Sequence, residues 1–246
     1  IIKLPLPPLP EQQRIAAILQ KADRLRRLRR YARQLSDSYL KSVFLEMFGD
    51  PVSNPRNFPI VKLSDIGTLD RGISKNRPRN APELYGGPYP FVQTGDIANS
   101  SEYISSHKQT YSESGLKQSK LWPEGTLCIT IAANIAKTAI LTFNSCFPDS
   151  IVGFIPNSKT KTEFVQIWFA FMQKKLEDIA PESAQKNINL EILRELPIAL
   201  PPIEAQTKFT QIAQKHYQLQ IKNNESSRQV EHLFQSLLQR AFQGEL

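Results

Sequence analysis

Leu6-Pro7-Pro8-Leu9-Pro10-Glu11-Gln12 and Leu200-Pro201-Pro202-Ile203-Glu204-Ala205-Gln206 are two versions of one phrase, and the correspondence continues without a gap at a constant offset of 194 residues. Ile18 falls on Ile212, Gln20-Lys21 on Gln214-Lys215, Leu25 on Leu219, Ser42 on Ser236 and Phe48 on Phe242. Each copy closes on a glycine, in Phe48-Gly49-Asp50 and in Phe242-Gln243-Gly244. Solenoid repeats have periods of about 20 to 50 residues, so this is a duplicated unit of about 190 residues, present as one whole copy and the tail of another.

Each echoed segment reads as one long helix. The proline pair fixes an extended lead-in, no proline or glycine interrupts Glu11 to Phe48 or Glu204 to Gln243, and the closing glycine supplies a left-handed cap. About 38 residues at 1.5 Å each make a rod of about 57 Å. In the second copy Phe209, Ile212, His216, Leu219, Asn223, Ser226, Val230, Leu233 and Leu237 recur in steps of three and four, the spacing of a coiled-coil seam. The first copy offers Ile15, Ile18, Ala22, Leu25, Arg29, Ala32, Ser36, Tyr39 and Val43 at the same offset. Both stripes are apolar at their ends and polar in the middle, where Arg29 and Asn223 would trade stability for register.

Between the rods, residues 51–200 change character to short apolar runs broken by Gly, Pro, Ser and Asn. Strands are expected near Val61–Leu63, Tyr89–Gln93, Thr126–Ile131, Ala139–Phe143 and Ser150–Ile155, one helix from Thr162 to Ile179, and a lead-out at Leu190 to Leu196. Phe164, Ile167, Trp168, Phe171 and Met172 form the buried face of that helix.

The net charge of +8 favours a polyanionic partner. The excess is concentrated: residues 1–50 carry +5, residues 51–200 carry +2 and residues 201–246 carry +1. Lys21, Arg24, Arg26, Arg27, Arg29, Arg30 and Arg33 form one dense run, which fits either a solvated helix face or a contact for phosphates or an acidic partner. In the middle domain, the loop Arg71-Gly72-Ile73-Ser74-Lys75-Asn76-Arg77-Pro78-Arg79-Asn80 mixes cations suited to phosphates with Arg and Asn suited to base edges. Arg71, Ser74, Lys75, Asn76, Arg77, Arg79 and Asn80 are its candidate DNA contacts. Ala132 to Thr138 follows an apolar strand and adds Asn134 and Lys137, and Ser183 to Asn189 adds Gln185, Lys186 and Asn187. Taken singly, each of these loops is equally well an ordinary solvated surface.

Several chemistries lack their residues. No G-x-x-x-x-G-K-[ST] phosphate loop and no G-x-G-x-x-G turn occurs. Histidines stand only at 107, 216 and 232, so a histidine-rich metal site or a Ser-His-Asp site has little to build from. Asp65, Asp70, Asp96 and Asp149 have no spacing that singles them out as a nuclease centre. Cys128 and Cys146, flanked by apolar residues, read as buried free thiols in a reducing, cytoplasmic setting, and no apolar run reaches the length of a membrane span. The chain opens on Ile1-Ile2-Lys3-Leu4 without a methionine, as a fragment of something longer would.

The lead-in Leu6 to Leu19, its degenerate copy at 200–213, Phe91-Val92-Gln93-Thr94-Gly95-Asp96-Ile97 and Gln185-Lys186-Asn187-Ile188-Asn189 are similar to the specificity subunits of type I restriction-modification systems. The resemblance covers essentially the whole chain. It implies an α+β fold: one mixed, strand-rich target-recognition domain plus two long helices packed as an antiparallel coiled coil. The expected division is the end of a preceding recognition domain at 1–10, a first spacer helix at 11–50, the recognition domain at 51–200 and a second spacer helix at 201–246. Thr94 joins the DNA-facing candidates through the 91–97 segment. Ala136-Lys137 stands where such proteins often have Gly-Lys.

The implied function is sequence-specific recognition of double-stranded DNA, with methylation subunits packed around the spacer and a restriction subunit added. S-adenosylmethionine, ATP and magnesium would be bound by those partners, and this chain would carry no cofactor, metal or catalytic site. Arg24, Arg27 and Arg30 are candidates for a partner contact, facing either spacer phosphates or a methylation subunit. Self-association through the helices is a further expectation. The rival reading is an enzyme, a small DNA nuclease or methyltransferase with a fused recognition domain.

Overall fold

The computed structural model describes residues 7–75, 78–132, 135–179 and 188–246. Helices α1 (Leu9–Phe48) and α6 (Ile203–Gln243) are the two expected rods, 40 and 41 residues long, or about 60 Å each at 1.5 Å per residue. Gly49 and Gly244 follow them with φ of 79° and 76°, the left-handed region in which a residue without Cβ is cheapest. The Gly49 amide donates to the Leu45 carbonyl at 2.9 Å, satisfying one of the last orphan acceptors of α1. The chain divides into two compact units: one takes α1 up to Ser42 together with Gln214–Leu246, and the other is Val43–Ala213.

In the first unit the two helices lie antiparallel. Arg29 Nη1 donates to Asn223 Oδ1 at 3.4 Å, and seven residues further along α1 and seven back along α6, Ser36 Oγ meets His216 Nε2 at 2.9 Å. Arg29 and Asn223 are each other's counterparts in the 194-residue repeat, so the two copies oppose one another about that point. Tyr39 stacks on the buried His216 at 5.2 Å. Arg26 pairs with Asp23 at 2.7 Å and Glu231 at 3.6 Å and lies 4.1 Å over the Phe234 ring. One detail of the expected seam is corrected. Leu25, Leu219 and Leu233 are about half exposed, and Arg26 and Phe234 take the inward places beside Leu25 and Leu233. An α-helix advances 3.6 residues per turn, so a stripe counted at 3.5 drifts by about 20° per heptad and leaves the contact line.

Among the described residues, the second unit contains three sheets. A two-stranded sheet pairs β1 (Ile60–Lys62) with β11 (Pro197–Ala199). The five-stranded sheet has the order β2 (Gly67–Arg71), β10 (Ile151–Pro156), β7 (Leu127–Thr130), β8 (Thr138–Leu141) and β4 (Tyr103–Ile104). Its neighbours are antiparallel except β4, which joins β8 in parallel. The four-stranded sheet has the order β5 (Gln109–Tyr111), β3 (Tyr85–Phe91), β9 (Ser145–Cys146) and β6 (Leu121–Trp122). Short helices α2 (Thr94–Ala98), α3 (Glu113–Lys117) and α5 (Leu190–Glu195) connect these, and α4 (Thr162–Ile179) coincides with the expected helix. All five expected strands are present. The other six among the described residues are short and partly polar, and β2 ends at Arg71, where the expected basic loop begins.

Two apolar clusters organise the sheets. Val92, Ile97, Trp122, Cys128, Leu141, Phe147 and Ile151 belong to the first, and Leu84, Phe91, Tyr111 and Cys146 to the second. A third grouping is aromatic. Phe44 and Phe48 from the end of α1, Phe164 and Phe171 from α4 and Phe209 from the start of α6 place their rings at centroid distances of 5.0 to 5.7 Å. Gln206, fully buried, ties the start of α6 into the same unit. Its Nε2 donates to the Pro201 carbonyl at 2.8 Å, while its Oε1 accepts from Thr160 Oγ1 at 2.8 Å and the Lys161 amide at 3.0 Å. Its repeat counterpart Gln12 makes the same bond to Pro7 at 2.7 Å. Among the described residues no helix is long and apolar enough to cross a membrane.

The turn between β7 and β8 places Ala136, 3% exposed, at a φ of 58°, a conformation that disfavours any residue with a Cβ. The Ala136 amide donates to the Thr130 carbonyl at 2.9 Å, and the Lys137 amide to Thr130 Oγ1 at 3.1 Å, so Thr130 holds the turn through both its backbone and its side chain.

Phe48→Ala should cost about 3–5 kcal/mol in urea unfolding, while Phe242→Ala, at the exposed repeat counterpart, should cost less than about 0.5 kcal/mol. Ala136→Val should destabilise by about 2 kcal/mol, because a β-branched residue is worse still at positive φ. Ala136→Gly should stay within about 1 kcal/mol of the parent, the relief of strain offsetting lost burial and added chain entropy. Cys128 and Cys146 are free and buried, and burial raises both thiols above their ordinary range, against a hydrogen bond from Ser119 at Cys146. Neither should react with iodoacetamide until denaturant is added, as intact-mass measurement would read.

Candidate nucleic-acid interface

The register of the five-stranded sheet brings distant candidate loops to one edge. β2 ends with Arg71 opposite Val152, β7 ends with Thr130 opposite Ile151, and Ile129 faces Thr138. The exits of β2 and β7 and the entries of β8 and β10 therefore share one end of the sheet. Hydrogen bonds extend the pairing into the loops: the Gly72 amide donates to the Ile151 carbonyl at 2.9 Å, Ile131 to Ser150 at 3.0 Å and Ile188 to Ile131 at 3.0 Å. Gly72, Ile131 and Ile188 are drawn together there, around the turn Pro148-Asp149-Ser150.

Gly72 makes this convergence possible by close approach. A Cβ at that position would stand 2.3 Å from the carbonyl oxygens of both Phe147 and Pro148. From below, the Lys75 amide donates to Gln118 at 3.4 Å, and Ser119 Oγ to the Ile73 carbonyl at 2.8 Å. Ser74 is buried at 8% exposure and hydrogen-bonded to the Tyr111 hydroxyl, which burial holds above its ordinary pKa. The Ser74 side chain lies inside the fold, while Arg71 and Lys75 of the same loop are exposed.

The remaining candidates divide by position. Arg71, Lys75, Arg79, Asn80 and Lys137 are exposed. Among the described residues no carboxylate lies within ion-pair distance of Arg71, Lys75 or Lys137, whereas Arg79 Nη2 meets Asp149 Oδ2 at 2.7 Å. Thr94 is half-buried in the first turn of α2, which packs against β7 and β8, and no hydrogen bond among the described residues joins it to the converging loops. Asn76, Arg77, Asn134, Gln185, Lys186 and Asn187 lie outside the described residues. Asp149 is the residue whose part the sequence concealed, since its partner is 70 positions away.

The four carboxylates considered for a nuclease are engaged separately. Asp65 accepts from the Lys62 amide, Asp96 from the Gln93 amide, Asp70 faces Lys120 at 3.4 Å and Arg194 at 3.7 Å, and Asp149 holds Arg79. Among the described residues no three His, Cys, Asp or Glu side chains are grouped closely enough to hold a metal ion.

In the helical unit the basic run is split by the helix pairing. Arg26 and Arg29 turn toward α6, while Arg24, Arg27 and Arg30 are exposed, Arg27 with an ion pair to Asp23 at 2.7 Å. An exposed pair of this kind contributes at most about 1 kcal/mol and leaves the guanidinium available.

Comparison with known proteins accords with this arrangement. A curated relative, the type I restriction enzyme MjaIX specificity subunit of Methanocaldococcus jannaschii, is 28% identical over 167 residues, covering 64% of this chain and 37% of the relative. The HsdS subunit from Thermoanaerobacter tengcongensis has the same fold with a TM-score of 0.60 at 23% identity, over 99% of this chain and 61% of that one. A chain from a structural study of complex assembly and conformational transition of the type I R-M system gives a TM-score of 0.67 at 22% identity, over 99% of this chain and 62% of that one. The chain thus spans between about a third and two thirds of the length of these relatives. The family described as the type I restriction modification DNA specificity domain matches residues 55–232, and with most of the chain inside that match, this protein belongs to that family.

Proposed function

We propose that this chain reads a DNA sequence as part of a type I restriction-modification specificity subunit. The observation that carries the reading is that, in a member of this family, the exits of β2 and β7 meet at one end of the five-stranded sheet, where Arg71, Lys75, Arg79 and Lys137 are exposed. Phosphate contacts from Arg71, Lys75 and Lys137 set affinity and register, and side chains directed at base edges set sequence. In this reading residues 51–200 are the recognition domain, residues 11–50 and 201–246 the spacer helices, and residues 1–10 the end of a preceding domain.

A rigid spacer suits a bipartite site, because it holds readers at half-sites separated by about one helical turn, roughly 34–36 Å. Methylation subunits bearing S-adenosylmethionine would pack on the helices, with Arg24, Arg27 and Arg30 among the contacts, and a restriction subunit would bring ATP-driven chemistry. The chain itself contributes recognition and no catalytic step.

Selection of bound sites from a random duplex library, with and without methylation subunits, tests the proposal directly: enrichment of one defined motif is expected, and no enrichment in either arm would sink it. Arg71→Ala and Lys137→Ala should weaken binding evenly across sequences, and each should reduce the slope of log affinity against log salt by about 1. Titrations at several salt concentrations against the selected and an unrelated duplex would measure both effects.

A further inference from the structure

Resting on the reading above, we propose that Asp149 is a positioning residue that presents Arg79 to the edge of a guanine. The two side chains meet at 2.7 Å between Arg79 Nη2 and Asp149 Oδ2, joining the loop after β2 to the turn before β10. Both ends are anchored. The Arg79 carbonyl accepts from the Tyr85 hydroxyl at 2.8 Å, and the turn holding Asp149 is closed by the Ile151 amide on Pro148 at 3.0 Å and tied to the end of β7 by Ile131 on Ser150 at 3.0 Å.

The pair has little to do with folding. Its side chains are 47% and 41% exposed, and ion pairs at such exposure add almost nothing to stability. What the carboxylate does is restrict a long, flexible guanidinium to one orientation, so that the conformational entropy of ordering it is not lost at the moment of binding. Guanidinium carries five N–H donors, and Asp149 engages one terminal nitrogen. The remaining donors are enough for the two-pronged contact with guanine O6 and N7. A phosphate is the poorer target, because the Asp149 carboxylate beside the guanidinium repels a second anion. The neighbouring Arg71, Lys75 and Lys137, with no such carboxylate among the described residues, are the phosphate contacts by the same logic.

The test uses the full chain, with selection from a random duplex library followed by binding to the selected duplex and to its single-base-pair variants for the parent, Arg79→Ala, Asp149→Asn and the double variant. Asp149→Asn and Arg79→Ala should each lose about tenfold of the preference for G·C at one and the same base pair. The double variant should lose no more than either single one. Affinity for an unrelated duplex should be unchanged or higher in Asp149→Asn, and its thermal unfolding should match the parent. Retention of the parental preference by Asp149→Asn overturns the proposal, as does loss of preference at a different base pair from Arg79→Ala, or an even loss across all positions accompanied by destabilisation. If the parent selects no sequence, the DNA-reading function itself fails; if it selects one and Asp149→Asn is indistinguishable from it, only the role of Asp149 fails.

Discussion

Five phenylalanines carry the construction of the Val43–Ala213 unit. Phe44 and Phe48 end one long helix and lie between Phe209, which begins the other, and Phe164 and Phe171 of α4. Large apolar rings at 5 to 6 Å separation combine area burial with favourable edge and offset geometry, each further contact adding about 0.5–1.5 kcal/mol. Gln206 adds what rings cannot: its buried amide bonds to Pro201, Thr160 and Lys161 specify one rotational setting of the helix start.

The same unit solves a second problem, that of gathering short polar loops into a surface. β10 does this by lying between β2 and β7. Pairing it antiparallel to both places two strand exits and its own entry at one end of the sheet, and the close approach of Gly72 to Phe147 and Pro148 brings the first loop against the turn that carries Asp149. The gathering of these loops is then a consequence of register, and a one-residue slip in β10 would scatter it. The strained Ala136 belongs to this same edge. Its positive φ is tolerated because Thr130 receives hydrogen bonds on both of its oxygens from the turn, so that local structure over-determines the conformation.

The helix pair uses polar groups where most coiled coils use apolar ones. At its centre the repeat-equivalent Arg29 and Asn223 face each other, with Ser36 and His216 one heptad away. Polar contacts of this kind add little stability but penalise any shifted alignment, since a displaced guanidinium or imidazole would lose its partner in a half-buried site. A duplicated sequence has more than one self-consistent way to pair, and these contacts select one.

What the amino-acid sequence by itself determined is the pair of rods, their caps, the α+β class, the main strands and the membership of the basic loops among surface candidates. Those signals are local: forty residues without Pro or Gly, proline lead-ins, closing glycines and apolar runs of four to six residues each speak within a few neighbours of themselves. Tertiary structure alone decided which loops meet, that Ser74 faces inward, that Arg26 and Phe234 displace Leu25 and Leu233 from the contact line, and that Asp149 belongs with Arg79. These depend on pairings between residues tens to hundreds of positions apart, on strands of two or three residues that leave no periodic trace, and on the difference between 3.5 and 3.6 residues per turn, which accumulates only over the length of a real helix.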